Sequence, residues 1–130
     1  MKKVAQAQAL AKLTAVELGY VQAEMARLVQ GEARLRQNLI QLQQRQEAQP
    51  PASATTEFVA TPAVHLRWQR WVDQRKSVIN TELAQILAQK ENCAAKLRSV
   101  FGRDQAAQKL VEKLQERQKL TNQRKQYYES

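Results

Sequence analysis

The sequence has little of what a disulfide-bonded domain or a compact enzyme needs. It holds one cysteine, one histidine and three residues each of glycine and proline, and aromatic residues make up 5% of it. A lone cysteine excludes an internal disulfide, which fits a reducing compartment. The acids are scattered, and neither a phosphate-binding loop nor metal-ligand spacing is present. We therefore expect no catalytic site, cofactor or metal.

Long hydrophobic runs are also absent. No apolar stretch approaches the ~20 residues needed to span a bilayer. Lys2 and Lys3 precede a segment that Gln6, Gln8 and Lys12 interrupt, so a secretory signal is not expected. The sequence predicts a cytoplasmic protein without direct membrane insertion.

What the chain does have is glutamine, roughly a sixth of it, with Ala, Leu, Lys, Arg and Glu, a composition typical of coiled coils. From Val72 to Thr121, over about seven heptads, spacings of four and three alternate. The stripe is Val72, Lys76, Ile79, Leu83, Ile86, Lys90, Cys93, Leu97, Val100, Asp104, Ala107, Val111, Leu114, Gln118 and Thr121. Lys76, Lys90, Asp104 and Gln118 share one heptad position of this stripe, where polar groups set register. Cys93 lies on this stripe, and we expect it to pack as a small apolar residue.

An earlier segment carries a matching stripe that can pair with the first. It comprises Leu18, Val21, Met25, Leu28, Glu32, Leu35, Leu39, Leu42 and Gln46, and continues more weakly back through Thr14, Ala11, Ala7 and Val4. Glu32 is its single charge and needs a cationic or polar neighbour. Leu10, Leu13, Val16 and Tyr20 lie beside the stripe, which predicts a broader or rotated apolar face in this part of the helix.

The segment between the two stripes predicts a loop. Pro50 and Pro51 cannot continue a helix, and Thr61 followed by Pro62 is a helix-start signal. We expect one all-α domain over residues 1–130, a long antiparallel two-helix coiled-coil hairpin. Its helices cover about residues 3–48 and 62–128, and its loop covers about 49–61.

Two details of the hairpin follow from the pattern. The stripe crosses Gly102 in phase, which favours a continuous or slightly kinked helix over a break there. Folding back across the loop should bring together residues whose numbers sum to about 113, so that Leu28 lies near Ile86 and Leu42 near Trp71.

The formal net charge is +9, and residues 64–130 carry fourteen Lys/Arg against seven Asp/Glu. Such a charge favours an acidic partner, although a solvated surface laced with salt bridges is an alternative. The last turns, Arg117–Ser130, are basic with aromatic tips. They are either disordered or a docking element that becomes ordered on a partner.

Both tryptophans, Trp68 and Trp71, lie three residues apart and so share a helix face. One interpretation is an aromatic plug that closes the loop end of the seam. The other is a binding surface, because Trp flanked by Arg is typical of interaction hot spots. Both can hold, for different faces of the rings.

The chain resembles the FliJ family of flagellar export proteins. The resemblance lies in the length of the hairpin and in Arg67-Trp68 followed by Trp71 at the start of the second helix. The segment Leu114-Gln115-Glu116-Arg117-Gln118 is similar to one in enterobacterial members. YscO-type proteins of type III secretion are similar in architecture. The resemblance covers most of the chain. The chain departs from the enterobacterial pattern after Trp71 and late in the first helix, where arginine or glutamine replaces expected aromatics.

The resemblance implies a stalk, similar to the shaft of rotary ATPases, that is peripheral to the membrane through partner proteins. Its paired ends would enter the hexameric export ATPase, and its loop-proximal half would contact the export-gate membrane protein. The family is also associated with escort of export chaperones. The resemblance assigns the gate contact to Leu42, Arg45, Arg67, Trp68, Trp71 and Ile79. It assigns the ATPase-ring contact to Lys2, Lys3, Arg117, Arg124 and Lys125.

Two alternatives come from the residues alone. A basic coiled coil can bind nucleic acid, but here the basic residues are interleaved with Gln and Glu and no groove-reading motif is present, so we expect no nucleic-acid partner. The helices could also pair between chains, giving a self-associating structural dimer.

Overall fold

A computed structural model describes residues 2–47 and 62–129, and all of these residues are helical. Helix α1 covers Lys2–Glu47 and helix α2 covers Pro62–Glu129. The two helices pack against each other, which confirms the predicted all-α two-helix hairpin. Helix α2 continues through Gly102. The predicted loop and the predicted cap at Thr61 lie outside the described residues.

The face that each helix buries is the predicted stripe. Every stripe position from Val4 to Gln46 in α1, and from Val72 to Gln118 in α2, is buried or half-buried, whereas Thr121 is exposed. Spacings of four and three keep these side chains on one side of a helix, so burying them removes a continuous apolar strip from water. The rest of each helix consists mainly of strong helix formers with polar side chains.

The chain divides into two compact units. Unit 1 comprises Met1–Ala26 and Asn92–Ser130. Within it, Thr14 Oγ1 donates a hydrogen bond of 2.8 Å to Oδ1 of Asp104, which is 4% exposed. Gln108 Nε2 donates to Oδ2 of the same carboxylate at 3.0 Å. The buried acid of the stripe is therefore satisfied on both oxygens.

Cys93 is buried in unit 1, and its Sγ–H points to the backbone oxygen of Val21 at 3.8 Å. The thiol occupies a stripe position, where it fills space between the helices. This confirms its expected place in the seam.

Unit 2 is Arg27–Glu91. Its core is built from buried and half-buried apolar side chains of both helices, namely Leu42, Val72 and Ile79 with Leu35, Leu39 and Trp68 packed against them. Lys76 Nζ donates hydrogen bonds to the side-chain oxygens of Gln43 and Gln46 across the helix pair. The polar stripe position at Lys76 is thus matched by amide oxygens.

Glu32, the single charge of the α1 stripe, is buried in unit 2 and has the cationic neighbour that it requires. Lys90 Nζ donates to Glu32 Oε2 at 2.8 Å, and Arg36 Nη2 lies 2.8 Å from Oε1. The hydrogen bond from Lys90 holds the pKa of Glu32 below its usual value, burial opposes this effect, and the charge of Arg36 supports it.

The predicted register is wrong by about one helical turn at Thr14 and Gly31, although the predicted neighbours Leu42 and Trp71 do line one cleft. In unit 1 Thr14 contacts Asp104, where the prediction places about residue 99 opposite Thr14. In unit 2 a Cβ added to Gly31 would lie 3.1 Å from Ile86 Cδ1, where the prediction places about residue 82. In the observed register each buried acid meets a polar partner on the other helix. The predicted register would leave these buried charges unpaired, which is unfavourable.

The broader apolar face predicted near the start of α1 is present but is not buried between the helices. Leu10, Leu13, Val16 and Tyr20 are 45%, 69%, 57% and 75% exposed. A helix packed against one partner buries one stripe, and here that stripe contains Thr14 and its 4-3 neighbours. The four side chains therefore form an exposed apolar surface on unit 1.

Candidate functional site

A cleft of about 480 Å³ opens between the two helices of unit 2. It is lined by Asn38, Gln41, Leu42 and Arg45 of α1 and by Trp71, Arg75 and Ile79 of α2. Leu42, Arg45, Trp71 and Ile79 are four of the six residues assigned to the gate contact by the family resemblance. The structure therefore brings most of that set into one concave surface.

The floor of the cleft is part of the core of unit 2. Leu42 and Ile79 are 6% and 5% exposed and pack with the fully buried Val72. Because these residues occupy the 4-3 stripes, their backbones are held by the helix–helix packing. The floor is therefore rigid and apolar.

The walls come from residues one turn apart on each helix. Gln41 and Arg45 are four residues apart on α1, and Trp71 and Arg75 are four apart on α2, so each pair projects from one helix face. All four are exposed. An apolar floor between polar and cationic walls suits a side chain that has an apolar stem and a polar or anionic end.

The two tryptophans combine a packing role with an accessible surface. Their rings stack with centroids 5.4 Å apart and an interplanar angle of 20°. Trp68 is half-buried against the core, while Trp71 is 42% exposed and lines the cleft. Buried Nε1–H of Trp68 has no hydrogen-bond acceptor among residues 2–47 and 62–129. The half-buried ring of Trp68 thus stacks on the exposed ring of Trp71 and links it to the core.

Arg45 and Arg75 line the same cleft. Within the described part of the chain, neither guanidinium has an ion pair or a hydrogen bond to another residue. Two arginines beside an apolar floor give the described lining of the cleft a net positive charge.

The other predicted residues lie elsewhere. Arg67 is exposed and does not line the cleft. The residues assigned to the ATPase ring are all exposed on the helix surfaces, namely Lys2, Lys3, Arg117, Arg124 and Lys125. Every residue from 119 to 129 is exposed and helical, so the basic tail continues α2. The rings of Tyr127 and Tyr128 meet edge to face near its end, with centroids 5.7 Å apart.

Three residues of the cleft are missing from the predicted set, namely Asn38, Gln41 and Arg75. The sequence does place Asn38, Gln41 and Arg45 at spacings of three and four, which predicts that they share one face of α1. Arg75 lies one turn after Trp71. Choosing them required knowing which turns of the two helices face each other, and the predicted register was wrong.

A second cleft, of about 510 Å³, lies in unit 1 and contains none of the predicted residues. Its charged residues, Lys12 and Glu112, are of opposite sign, so it has no net charge to select a partner. Among residues 2–47 and 62–129, no three His, Cys, Asp or Glu side chains are grouped to hold a metal ion. In the same part of the chain, neither helix has an apolar stretch long enough to cross a membrane.

The cleft of unit 2 is therefore the candidate site, because it joins an apolar floor, an accessible tryptophan and two arginines that have no ion pair with the described residues. These are features of a surface that docks another protein. Comparison of the chain with protein-family models, curated proteins and solved structures finds no match.

Proposed function

We propose that this chain is a non-enzymatic stalk of a flagellar or type III protein export apparatus. In this role its helix ends insert into the hexameric export ATPase, while unit 2 contacts the export-gate membrane protein and export chaperones. The supporting observation is the cleft of unit 2, which gathers Leu42, Arg45, Trp71 and Ile79, four of the residues that the FliJ resemblance assigns to the gate.

The ends of the helices support the ATPase contact in the proposal. Lys2 and Lys3 begin α1, and Arg124 and Lys125 lie near the end of α2, all of them exposed. Exposed cations steer association with an acidic surface, and that attraction weakens as salt is added. A ring pore lined by acidic residues would be a suitable partner.

Mechanical coupling in the proposal relies on the helix pair keeping its register. Glu32–Lys90 in unit 2 and Thr14–Asp104 in unit 1 are polar contacts between the helices that a slipped register would break. Insertion of such a pair into a six-fold ring is asymmetric, so it would bias the subunits unequally.

Binding and ATPase assays with the export ATPase and the gate protein of the same genome test the proposal. We expect Trp71→Ala to weaken binding to the gate and to leave ATPase stimulation unchanged. The double variant Arg124→Ala/Lys125→Ala should do the reverse. Lys109→Ala, which removes an exposed charge of α2 outside both surfaces, is the matched control and should change neither result. Absence of binding to the gate protein at low salt would refute the proposal, and so would absence of binding to the ATPase.

Self-association is a second candidate, favoured by the exposed apolar surface on α1. Leu13, Val16 and Tyr20 follow each other at spacings of three and four, which aligns them on one outer face of the helix. Sedimentation equilibrium tests this candidate, because a dimer formed through this face should dissociate in the double variant Leu13→Gln/Tyr20→Gln. A monomeric wild-type chain would exclude it.

A further inference from the structure

Charge pairing differs between the two units at equivalent positions. In unit 1, Arg103 Nη2 lies 2.9 Å from Glu17 Oε1, and Lys96 Nζ lies 3.8 Å from Glu24 Oε2. Each of these residues immediately precedes a buried or half-buried stripe residue of its helix. This flanking position of a helix pair is where opposite charges usually meet.

In unit 2 one layer of the equivalent flanking position carries two cations. Arg45 precedes Gln46 and Arg75 precedes Lys76, and Lys76 donates a hydrogen bond to Gln46 across the helix pair. Arg45 and Arg75 thus stand where an acid and a base would pair, and both line the cleft. Like charges at such positions destabilise a helix pair, so an anion placed between them would be favoured.

The remaining lining restricts what that anion can belong to. Leu42, Ile79 and Trp71 offer apolar surface, and Asn38 and Gln41 offer amide groups. A carboxylate on a short aliphatic stem satisfies both parts, because guanidinium groups bind carboxylates in bidentate geometry. A nucleic-acid backbone fits less well, since it binds through many phosphate contacts along a basic track.

We infer that the cleft of unit 2 docks an acidic, aliphatic segment of a partner protein, with a carboxylate held between Arg45 and Arg75 and an aliphatic side chain against Leu42 and Ile79. This inference rests on the proposed function for the identity of the partner, the export-gate protein. The chemistry of the segment comes from the cleft itself.

The tryptophans provide the assay, because Trp68 and Trp71 are the only ones in the chain and Trp71 lines the cleft. The probe is a synthetic ten-residue peptide of leucine and glutamate without aromatic residues, and its control is the same peptide with glutamine for glutamate. Tryptophan emission of the full chain is titrated with each. We expect the glutamate peptide to bind about tenfold more tightly than the glutamine peptide.

Variants of the two arginines locate the binding. Arg45→Gln and Arg75→Gln should each weaken binding of the glutamate peptide by about tenfold. Arg70→Gln is the matched control, since it removes the same charge beside Trp71 but outside the cleft, and its affinity should equal that of the wild type. Arg45→Glu/Arg75→Glu should instead prefer a peptide with lysine in place of glutamate. All these positions are exposed, and equal circular dichroism spectra would verify folding.

Several outcomes would overturn the inference: equal affinity for the two peptides, no change in emission up to about 1 mM peptide, or an equal loss in Arg70→Gln. Tighter binding of random duplex DNA that depends on Arg45 and Arg75 would also overturn it. If the gate protein binds through Trp71 but the glutamate peptide does not bind, the inference fails and the proposed function stands. Binding of the peptide without binding of the gate protein supports the inference and refutes the proposed function.

Discussion

Substitution of Thr14 by valine would remove the hydroxyl that donates to the buried carboxylate of Asp104. The shape of the side chain would remain nearly the same. The Thr14 hydroxyl lies 2.8 Å from Asp104 Oδ1 and 3.0 Å from the backbone oxygen of Ala11, but its one proton serves one acceptor at a time. The charged acceptor at the shorter distance is favoured. Asp104 would keep its hydrogen bond from Gln108 at 3.0 Å.

A hydrogen bond to a charged group contributes about 1.5–3 kcal/mol, so we expect Thr14→Val to lower the free energy of unfolding by that amount. Urea denaturation followed by far-UV circular dichroism measures it. Thr121→Val is the matched control, because the Thr121 hydroxyl donates to Arg117 O within its own exposed helix. That control should change stability by less than about 0.5 kcal/mol.

A double variant completes the test. Thr14→Val/Asp104→Leu replaces both partners with apolar groups, so it should recover most of the loss or exceed the wild type. A loss in Thr14→Val no larger than in Thr121→Val would refute the assigned hydrogen bond. So would strict additivity of Thr14→Val and Asp104→Leu, because contacting residues are expected to couple.

Three further predictions concern the glycines and the buried acid of the stripes. Gly19→Ala and Gly102→Ala should each raise stability by about 0.5–1 kcal/mol in thermal unfolding, because alanine favours a helix and an added Cβ meets nothing within 4 Å at either site. Gly31→Ala should raise stability by less, since its Cβ would lie 3.1 Å from Ile86 Cδ1. In an Ile86→Val background, which lacks that methyl group, Gly31→Ala should raise stability by the full amount. Equal increases in stability at all three glycines would contradict this reasoning. Because the pKa of Glu32 is lower in the folded chain than its unfolded-state value of 4.5, its ionised contacts stabilise the fold fully at pH values above 4.5. This stabilisation is lost as the pH falls through the folded-state pKa. Acid titrations of stability should therefore fall more steeply for the wild type than for Glu32→Gln, and parallel curves would contradict the assignment.

The heptad spacing was enough to predict which face of each helix is buried. Between Val72 and Gln118 every stripe position is at least half-buried, including the polar Lys76 and Asp104. Spacing identifies such a face because the helix period places those side chains together whatever the partner. The need of Glu32 for a cation was likewise predictable, since a buried carboxylate without one would be strongly unfavourable.

Register could not be obtained from spacing, because a stripe that repeats every heptad matches its partner in several alignments. Only the polar positions distinguish these alignments, and pairing Glu32 with Lys90 would have chosen the observed one. The predicted register did not place Arg45 opposite Arg75, and both residues line the cleft. The exposed Leu13 and Tyr20 show a related limit, because an apolar residue next to a stripe need not be buried.

The burial of Cys93 provides a way to measure local opening of the helix pair. Its side chain is the only thiol of the chain, is 3% exposed and lies under the backbone oxygen of Val21. A maleimide can reach it only when the helices of unit 1 separate locally, so the rate of alkylation reports the frequency of that opening. Slower alkylation in the presence of a binding partner would reveal clamping of unit 1 without any engineered label.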